Sequence, residues 1–292
     1  MTAAGPSTSV QPGRPVSALI AVDLDQTVVF SRRSAGDAGP SVVIEVLDGE
    51  PLSSMTVGAV AAYADLAARH AVVPVTTRTV AQYSRITLPA SAPYAVCANG
   101  GVLLTDGVPD PSWADWVQTV CAASAPLAGV VARLRAVERA PWVRLVRTAE
   151  DLFGYLVAHS RDEIPADWLA ALVADLGPLG WGVSVQGRKV YAVPAGLSKA
   201  AAVQRLAATL GGSVLLAAGD SLLDRPLLEL ALASGGAAVR PAHGELHELG
   251  WPDAHVTTAT GARAGEELLR WLGERADTLT AAPVDRAVRR TG

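Results

Sequence analysis

Two aspartates, Asp23 and Asp25, close an apolar run in the segment "AVDLDQTVVF" (residues 21–30). Alternate residues of an extended chain point the same way, so both carboxylates can address one small volume. Carboxylates that close repel unless a cation or a shared proton lies between them. Magnesium meets that need, being a hard cation that prefers oxygen ligands and keeps several waters. A capping role for one aspartate is the alternative. A second acidic pair, Asp220 and Asp224, lies in "LLAAGDSLLD", where Gly219 permits close backbone approach and Asp220 would add a metal ligand. Lys199, in "GLSKAAAVQRLA", falls in the first turn of a helical pattern, where a cation opposes the helix dipole. That placement suits a negative charge at the site better than helix stability, although a solvated lysine gives the same pattern. Thr76, in "VPVTTRT", offers a hydroxyl that can hold a phosphate oxygen.

These residues need elements that bring them together. "SALIAVD", "AVVPVTT", "YAVCANG" and "VLLAAGD" are each one buried strand long. Helical patterns over 56–69 and 198–209 lie between them. Doubly buried strands alternating with helices predict an α/β fold with a Rossmann-like parallel sheet. Reactive groups in such sheets sit beyond the carboxyl ends of the strands. Asp23, Thr76, Asn99 and Asp220 therefore meet at one edge. The alternation breaks over 102–191, where helix, two strands, helix and two strands (αββαββ) predict an inserted α+β domain. The resulting organisation is an N-terminal tail over 1–15, a core formed by 16–101 and 192–275, the insertion, and a C-terminal tail over 276–292.

Composition excludes several classes. The 292 residues are 50% hydrophobic and 18% charged, with a formal net charge of -4, which speaks against a general nucleic-acid binder. Two cysteines, Cys97 and Cys121, give neither a disulfide framework nor a zinc pattern, and buried thiols in a reducing compartment are expected. The start lacks a basic segment followed by an apolar one, and no stretch reaches about 20 strongly apolar residues. A cytoplasmic protein with no membrane partner is expected. Oligomeric state stays open.

Taken in order, D-x-D-x-T at 23–27, Thr76, Lys199 and Gly219–Asp220 resemble the haloacid-dehalogenase superfamily, a group of magnesium-dependent phosphatases and phosphotransferases. The resemblance covers about 17–272. It implies Asp23 as nucleophile, Asp25 as general acid/base whose main-chain carbonyl also binds metal, Thr76 and Lys199 as phosphoryl ligands, and Asp220 with Asp224 as the acidic pair of the metal site. "YAVCANGGVLLTDG" is similar to the Asn-Gly turn that precedes the cap in the type-IIB branch, which includes Cof-type sugar phosphatases and sucrose-phosphate phosphatase. The resemblance thus implies a phosphatase acting on a small phosphorylated metabolite. A phosphomutase or a non-catalytic binding protein of the same fold are the alternatives. Thr77, Arg78, Asn99 and Gly100 are expected around the substrate, with Arg78 matching the arginine of the branch's "TGR".

Two departures stand out. Gln26 replaces the usual glycine after Asp25, and Leu223 stands where many relatives have asparagine. The stretch 28–52 is also longer than the loop common in Cof-type members and is expected to shape the site entrance. Arg133, Arg135, Arg139, Arg144 and Arg147 cluster in the insertion, and Arg144 and Arg147 are candidate contacts for a second anionic group, a solvated face being the alternative. "HGELH" at 243–247 is not H-E-x-x-H, and Pro241 and Gly244 weaken a helix there, so a solvated segment is expected over a zinc site.

Overall fold

Ala18–Val22 is apolar and buried at every position, and it forms an interior strand with a parallel neighbour on each side. The computed structural model describes residues 18–211 and 214–281. The expected N-terminal tail lies outside them, as do residues 282–292.

Strand β1 (Ala18–Val22) is followed by β2 (Phe30–Ser31), β3 (Ser41–Leu47) and β4 (Glu50–Thr56), then by helix α1 (Val57–Arg69) and β5 (Ala71–Pro74). A short helix α2 (Val80–Tyr83) precedes β6 (Tyr94–Cys97), β7 (Val102–Thr105) and β8 (Val108–Pro109). Next come α3 (Pro111–Cys121), α4 (Leu127–Arg135), β9 (Val143–Ala149), β10 (Phe153–Ala158), α5 (Ala166–Leu176), β11 (Trp181–Gln186) and β12 (Lys189–Pro194). The chain continues through α6 (Lys199–Leu210), β13 (Val214–Ala218), α7 (Arg225–Ala233), β14 (Ala237–Arg240), α8 (Glu245–Glu248), β15 (His255–Val256) and α9 (Gly261–Ala281).

The fold is α/β. A parallel sheet in the order β15-β14-β13-β1-β5 forms the core. Side chains of β1 alternate between its faces: Leu19 and Ala21 join the apolar layer of α6 and α7, while Ala18, Ile20 and Val22 join that of α1 and α9. The register pairs Val22 with both Ala218 and Pro74, so these strands end at one level. A parallel bridge between Val75 and Val96 sets β6 beside β5.

The inserted segment is α+β. Its antiparallel sheet runs β11-β12-β10-β9, and Val146, Leu156 and Val190 point to α4 and α5 on one face. Arg147, Tyr155, Tyr191 and Ser184 form a row on the opposite face. The β6–β7 hairpin spans residue 102, the expected junction with the core.

Residues 28–52 carry an antiparallel sheet in the order β2-β4-β3. Two expectations need correction. Residues 276–281 belong to α9, because Ala276 and Leu279 continue the buried stripe of Leu268, Leu269 and Leu272. Cys97 is buried as expected, but Cys121 is only half-buried; both are free thiols. No helix of the described residues is long and apolar enough to cross a membrane.

Leu134 is fully buried against β10, where Gly154 makes room: a Cβ there would stand 2.9 Å from Leu134 Cδ1. Leu134→Ala is expected to cost about 2–5 kcal/mol through lost burial and the cavity left behind. Urea unfolding followed by far-ultraviolet circular dichroism measures it; a loss below about 1 kcal/mol would show that this layer is loosely packed.

Candidate active site

The shared level of the strand ends brings four segments together. Asp23 follows β1, Gly219–Asp220 follow β13, Thr76 stands two residues beyond β5, and Asn99 lies just past β6. Main-chain bonds lock the edges: Asp23 N donates to Ala218 O (3.0 Å), Thr76 N to Val96 O (2.8 Å) and Asn99 N to Thr76 O (2.9 Å).

At the centre is Lys199, the first residue of α6 and only 1% exposed. Its Nζ donates to Asp23 Oδ1 at 2.5 Å and to Asp224 Oδ1 at 2.6 Å. Burial alone would depress this ammonium, but Asp224 and Asp23 outweigh it and hold its pKa above the ordinary value. Ser198 caps the helix by accepting from Ala201 N (3.1 Å). The turn before β7 steers the lysine. Asn99 sits at φ 56° and donates through Nδ2 to Leu197 O at 3.1 Å. Gly100, at φ 110°, lies so near that a Cβ would stand 2.7 Å from Ser198 O. Both residues, expected around the substrate, here hold the backbone ahead of Lys199. The Asn99 Oδ1 atom is buried and meets no hydrogen-bond partner among the described residues.

Asp23 also accepts from Thr27 Oγ1 at 3.1 Å, which gives the threonine of D-x-D-x-T its local role. Burial pushes the Asp23 carboxyl well above the usual carboxylate range; Lys199 opposes the rise and Asp224 adds to it. Asp220 moves the same way, from burial first and then from Asp224 and Asp23. Carboxylate oxygens of Asp23, Asp220 and Asp224 lie within 4.8 Å of one another. One ammonium does not neutralise three buried carboxylates, and Asp220 Oδ1 and Oδ2 accept no hydrogen bond from any described residue. This all-oxygen, electron-rich corner fits a hard divalent cation. Asp224 is engaged differently from its neighbours. Its Oδ2 accepts from Asp220 N (3.2 Å), Ser221 N (3.0 Å) and Ser221 Oγ (2.6 Å), so it ties the 220–221 turn to Lys199. Gly219 allows that packing, since a Cβ there would stand 2.3 Å from Asp224 Cβ.

The Asp25 side chain is outside this cluster. It is half-buried and accepts from Arg78 Nε at 2.8 Å and Nη2 at 2.7 Å. Burial would raise its pKa, but the Arg78 hydrogen bonds and charge, with Lys189 and Lys199, hold it below the usual range. Arg78, expected around the substrate, here pairs with a local acid. Arg78 N donates to Thr76 Oγ1 (3.1 Å), and Thr77 is half-buried between them in sequence.

A cleft of about 760 Å³ opens beside Gln26 and Asp220. Its side chains are polar, among them Arg33, Asp37, Arg161, Gln186, Thr258 and Arg263. Arg144 and Arg147 do not line it. Both are exposed on the edge strand β9, and only Arg147 shares the sheet face of Tyr155 and Tyr191. The cleft's arginines instead come from three distant segments. The insertion is tied down by Gln186 Nε2 to Ser221 Oγ (2.5 Å), Arg161 Nη1 to Glu245 Oε1 (3.3 Å) and Val80 N to Glu150 Oε1 (2.8 Å).

The "HGELH" segment is packed for most of its length rather than solvated as expected: Glu245 and Leu246 are buried, His243 and Gly244 half-buried, and His247 exposed. Gly261 N donates to His243 Nδ1 (3.2 Å), which leaves Nε2 protonated to donate to Gln26 O at 2.8 Å. Gln26 has φ 63°, the left-handed region that costs a non-glycine residue about 1–2 kcal/mol. The His243 bond steadies a conformation that glycine would adopt freely. Leu223 packs partly buried against the apolar layer of α6 and α7.

Replacing Lys199 by methionine leaves Asp23 and Asp224 without their shared cation. A loss of about 3–5 kcal/mol at pH 7 is expected. The native Asp23 carboxyl, already raised by burial, then binds its proton more tightly still, so unfolding free energy should fall as pH rises from 4 to 7, more steeply than in the parent. Denaturant titrations across that range check this. A pH-independent loss would mean that the ammonium does not compensate these acids.

No protein-family model and no curated protein sequence matches the chain. Solved structures do. The chain is similar to the sucrose-phosphatase of Synechocystis sp., solved in complex with sucrose and phosphate, at 14% identity and TM-score 0.59, covering 88% of this chain and 98% of that one. A trehalose-6-phosphate phosphatase related protein gives 16% identity and TM-score 0.54, covering 88% and 97%. A haloacid dehalogenase-like hydrolase from B. subtilis gives 15% and 0.52, covering 88% and 98%. At this identity the likeness is one of fold, and the chain has the fold of these haloacid-dehalogenase-like hydrolases.

Proposed function

We propose that this protein is a magnesium-dependent phosphatase that hydrolyses a small phosphorylated metabolite, a sugar phosphate or similar phosphomonoester, through an aspartyl-phosphate on Asp23. The observation that carries the reading is the buried Asp23 carboxylate, fixed by Lys199 at the strand ends with Asp25 two residues away. A scaffold would have no use for an ammonium buried at that cost.

In the first step an Asp23 carboxylate oxygen attacks phosphorus, and the bond from phosphorus to the leaving oxygen breaks. Asp25, which has to take up a proton against the hold of Arg78 before this step, gives that proton to the leaving oxygen and releases the alcohol. In the second step the Asp25 carboxylate takes a proton from water as the water oxygen attacks phosphorus. Inorganic phosphate leaves, and Asp23 and protonated Asp25 are regenerated. Lys199 and the Thr76 hydroxyl hold phosphoryl oxygens. A magnesium ion held by Asp23, Asp220, Asp224 and the Asp25 carbonyl would supply charge neutralisation for the phosphoryl group. Residues 18–101 and 195–281 act as the core that carries this chemistry. Residues 102–194 act as a cap that excludes water and contacts the leaving group. Thr77 and Arg78 border the phosphoryl site. A polar cleft with cationic and hydrogen-bonding side chains suits a hydroxylated, charged substrate.

Asp23→Asn is expected to abolish phosphate release while leaving the unfolding transition intact, because an amide does not attack phosphorus. A panel of phosphorylated sugars, glycerates and nucleotides, read for free phosphate and for isomerised product, tests the assignment. Isomer without phosphate would make it a mutase, and full activity of Asp23→Asn would remove the mechanism. Excess EDTA should abolish turnover and magnesium restore it. Activity in metal-free protein, or recovery with zinc alone, would contradict the metal assignment.

A further inference from the structure

Strand β3 sends one carboxylate into the protein. In "SVVIEVL" both Ile44 and Glu45 are buried, although neighbours on a regular strand face opposite ways. The cause is an irregularity: the register with β4 shifts on both sides of Glu45. A bulge re-aims the side chain it carries. The strand is pinned there by Thr87 N donating to Ile44 O (2.7 Å) and by an antiparallel bridge between Glu45 and Ile86.

Glu45 is 1% exposed and its oxygens are fully engaged. Oε1 lies 2.9 Å from Arg78 Nη1 and 3.2 Å from both Arg85 Nε and Arg85 Nη2, and Oε2 accepts from Ser53 Oγ at 2.7 Å. Arg78 presents its other edge to Asp25, with Nε and Nη2 on the two carboxylate oxygens. A guanidinium is planar, so a partner on one edge fixes the plane offered at the other. A buried ion pair contributes little net stability over an apolar packing. The arrangement Glu45–Arg78–Asp25 is therefore better explained by what it orients than by what it stabilises.

We propose that Glu45 is a positioning residue: acting through Arg78, it sets the orientation of the Asp25 carboxylate and so its reach to the leaving oxygen. The inference rests on the proton-transfer role given to Asp25 above. It assigns the 28–52 extension a part in turnover rather than only in the shape of the entrance.

The test is the dependence of kcat/KM on leaving-group basicity, measured with magnesium on a series from p-nitrophenyl phosphate to simple alkyl phosphates. A nitrophenolate leaves without a proton, whereas an alkoxide needs one. General acid catalysis contributes about 10²–10⁴-fold, so Glu45→Gln should lose at least about tenfold on alkyl phosphates and little on p-nitrophenyl phosphate. In an Asp25→Asn background the same substitution should have no further effect on the alkyl substrates. Equal losses across the series, no loss, or full additivity with Asp25→Asn would overturn the proposal. If Glu45→Gln does not give a native unfolding transition, Ser53→Ala, which removes only the bond to Oε2, is measured against the same criteria. Failure of the underlying reading is seen without touching Glu45: the parent would hydrolyse none of the series, or Asp25→Asn would keep the parent's leaving-group dependence.

Discussion

The bond that the site depends on joins Lys199 to Asp23 and Asp224 inside the protein. An ammonium and two carboxylates each lose hydration on burial, and their mutual contact at 2.5 and 2.6 Å, with the hydrogen bonds from Thr27 and Ser221, offsets the cost. That requirement fixes three chain segments at once. β1 must end beside β13 to deliver Asp23, α6 must begin at its neighbours' level, and the 219–224 turn must fold back to present Asp224. Main-chain contacts made by Asn99, Gly100 and Ser221 follow from this arrangement. The same crowding leaves the Asp220 carboxylate oxygens without a hydrogen-bond donor among the described residues, which suits a cation there.

Around that centre, two loops are held by groups outside the cluster. His243 holds the carbonyl of Gln26 and with it the turn between Asp25 and Thr27. Arg78 holds the Asp25 side chain and is itself held by Glu45. The insertion adds Gln186 on Ser221, so a residue of the proposed cap touches the turn that carries Asp220. The cleft wall and the strand ends are thus joined by a short polar contact.

Much of this is legible in the sequence because it follows from strand endings. A buried strand read from continuous apolar residues places whatever follows it at the sheet edge, which is how Asp23, Thr76, Asn99 and Asp220 come together. The αββαββ order of the insertion is legible for the same reason: its helices and strands carry different apolar periods. Glu45 is not legible. An acid inside an apolar strand reads as outward-facing, and nothing in "SVVIEVL" announces the bulge that turns it inward. The cleft's cations escape as well. Arg33, Arg161 and Arg263 are scattered in sequence and meet only in the fold, while the contiguous arginines from 133 to 147 draw attention yet lie outside the cleft. His243 is hidden because its partner is a backbone carbonyl 217 residues away.

The central claim is that the Asp23 carboxylate becomes covalently phosphorylated. Borohydride reduces an acyl phosphate to an alcohol and leaves a free carboxylate untouched. Protein quenched during steady-state turnover, reduced, digested and analysed by mass spectrometry should therefore carry homoserine at position 23, and only when substrate is present. Homoserine elsewhere, or an unchanged aspartate at 23 in protein that is turning over substrate, would contradict the account.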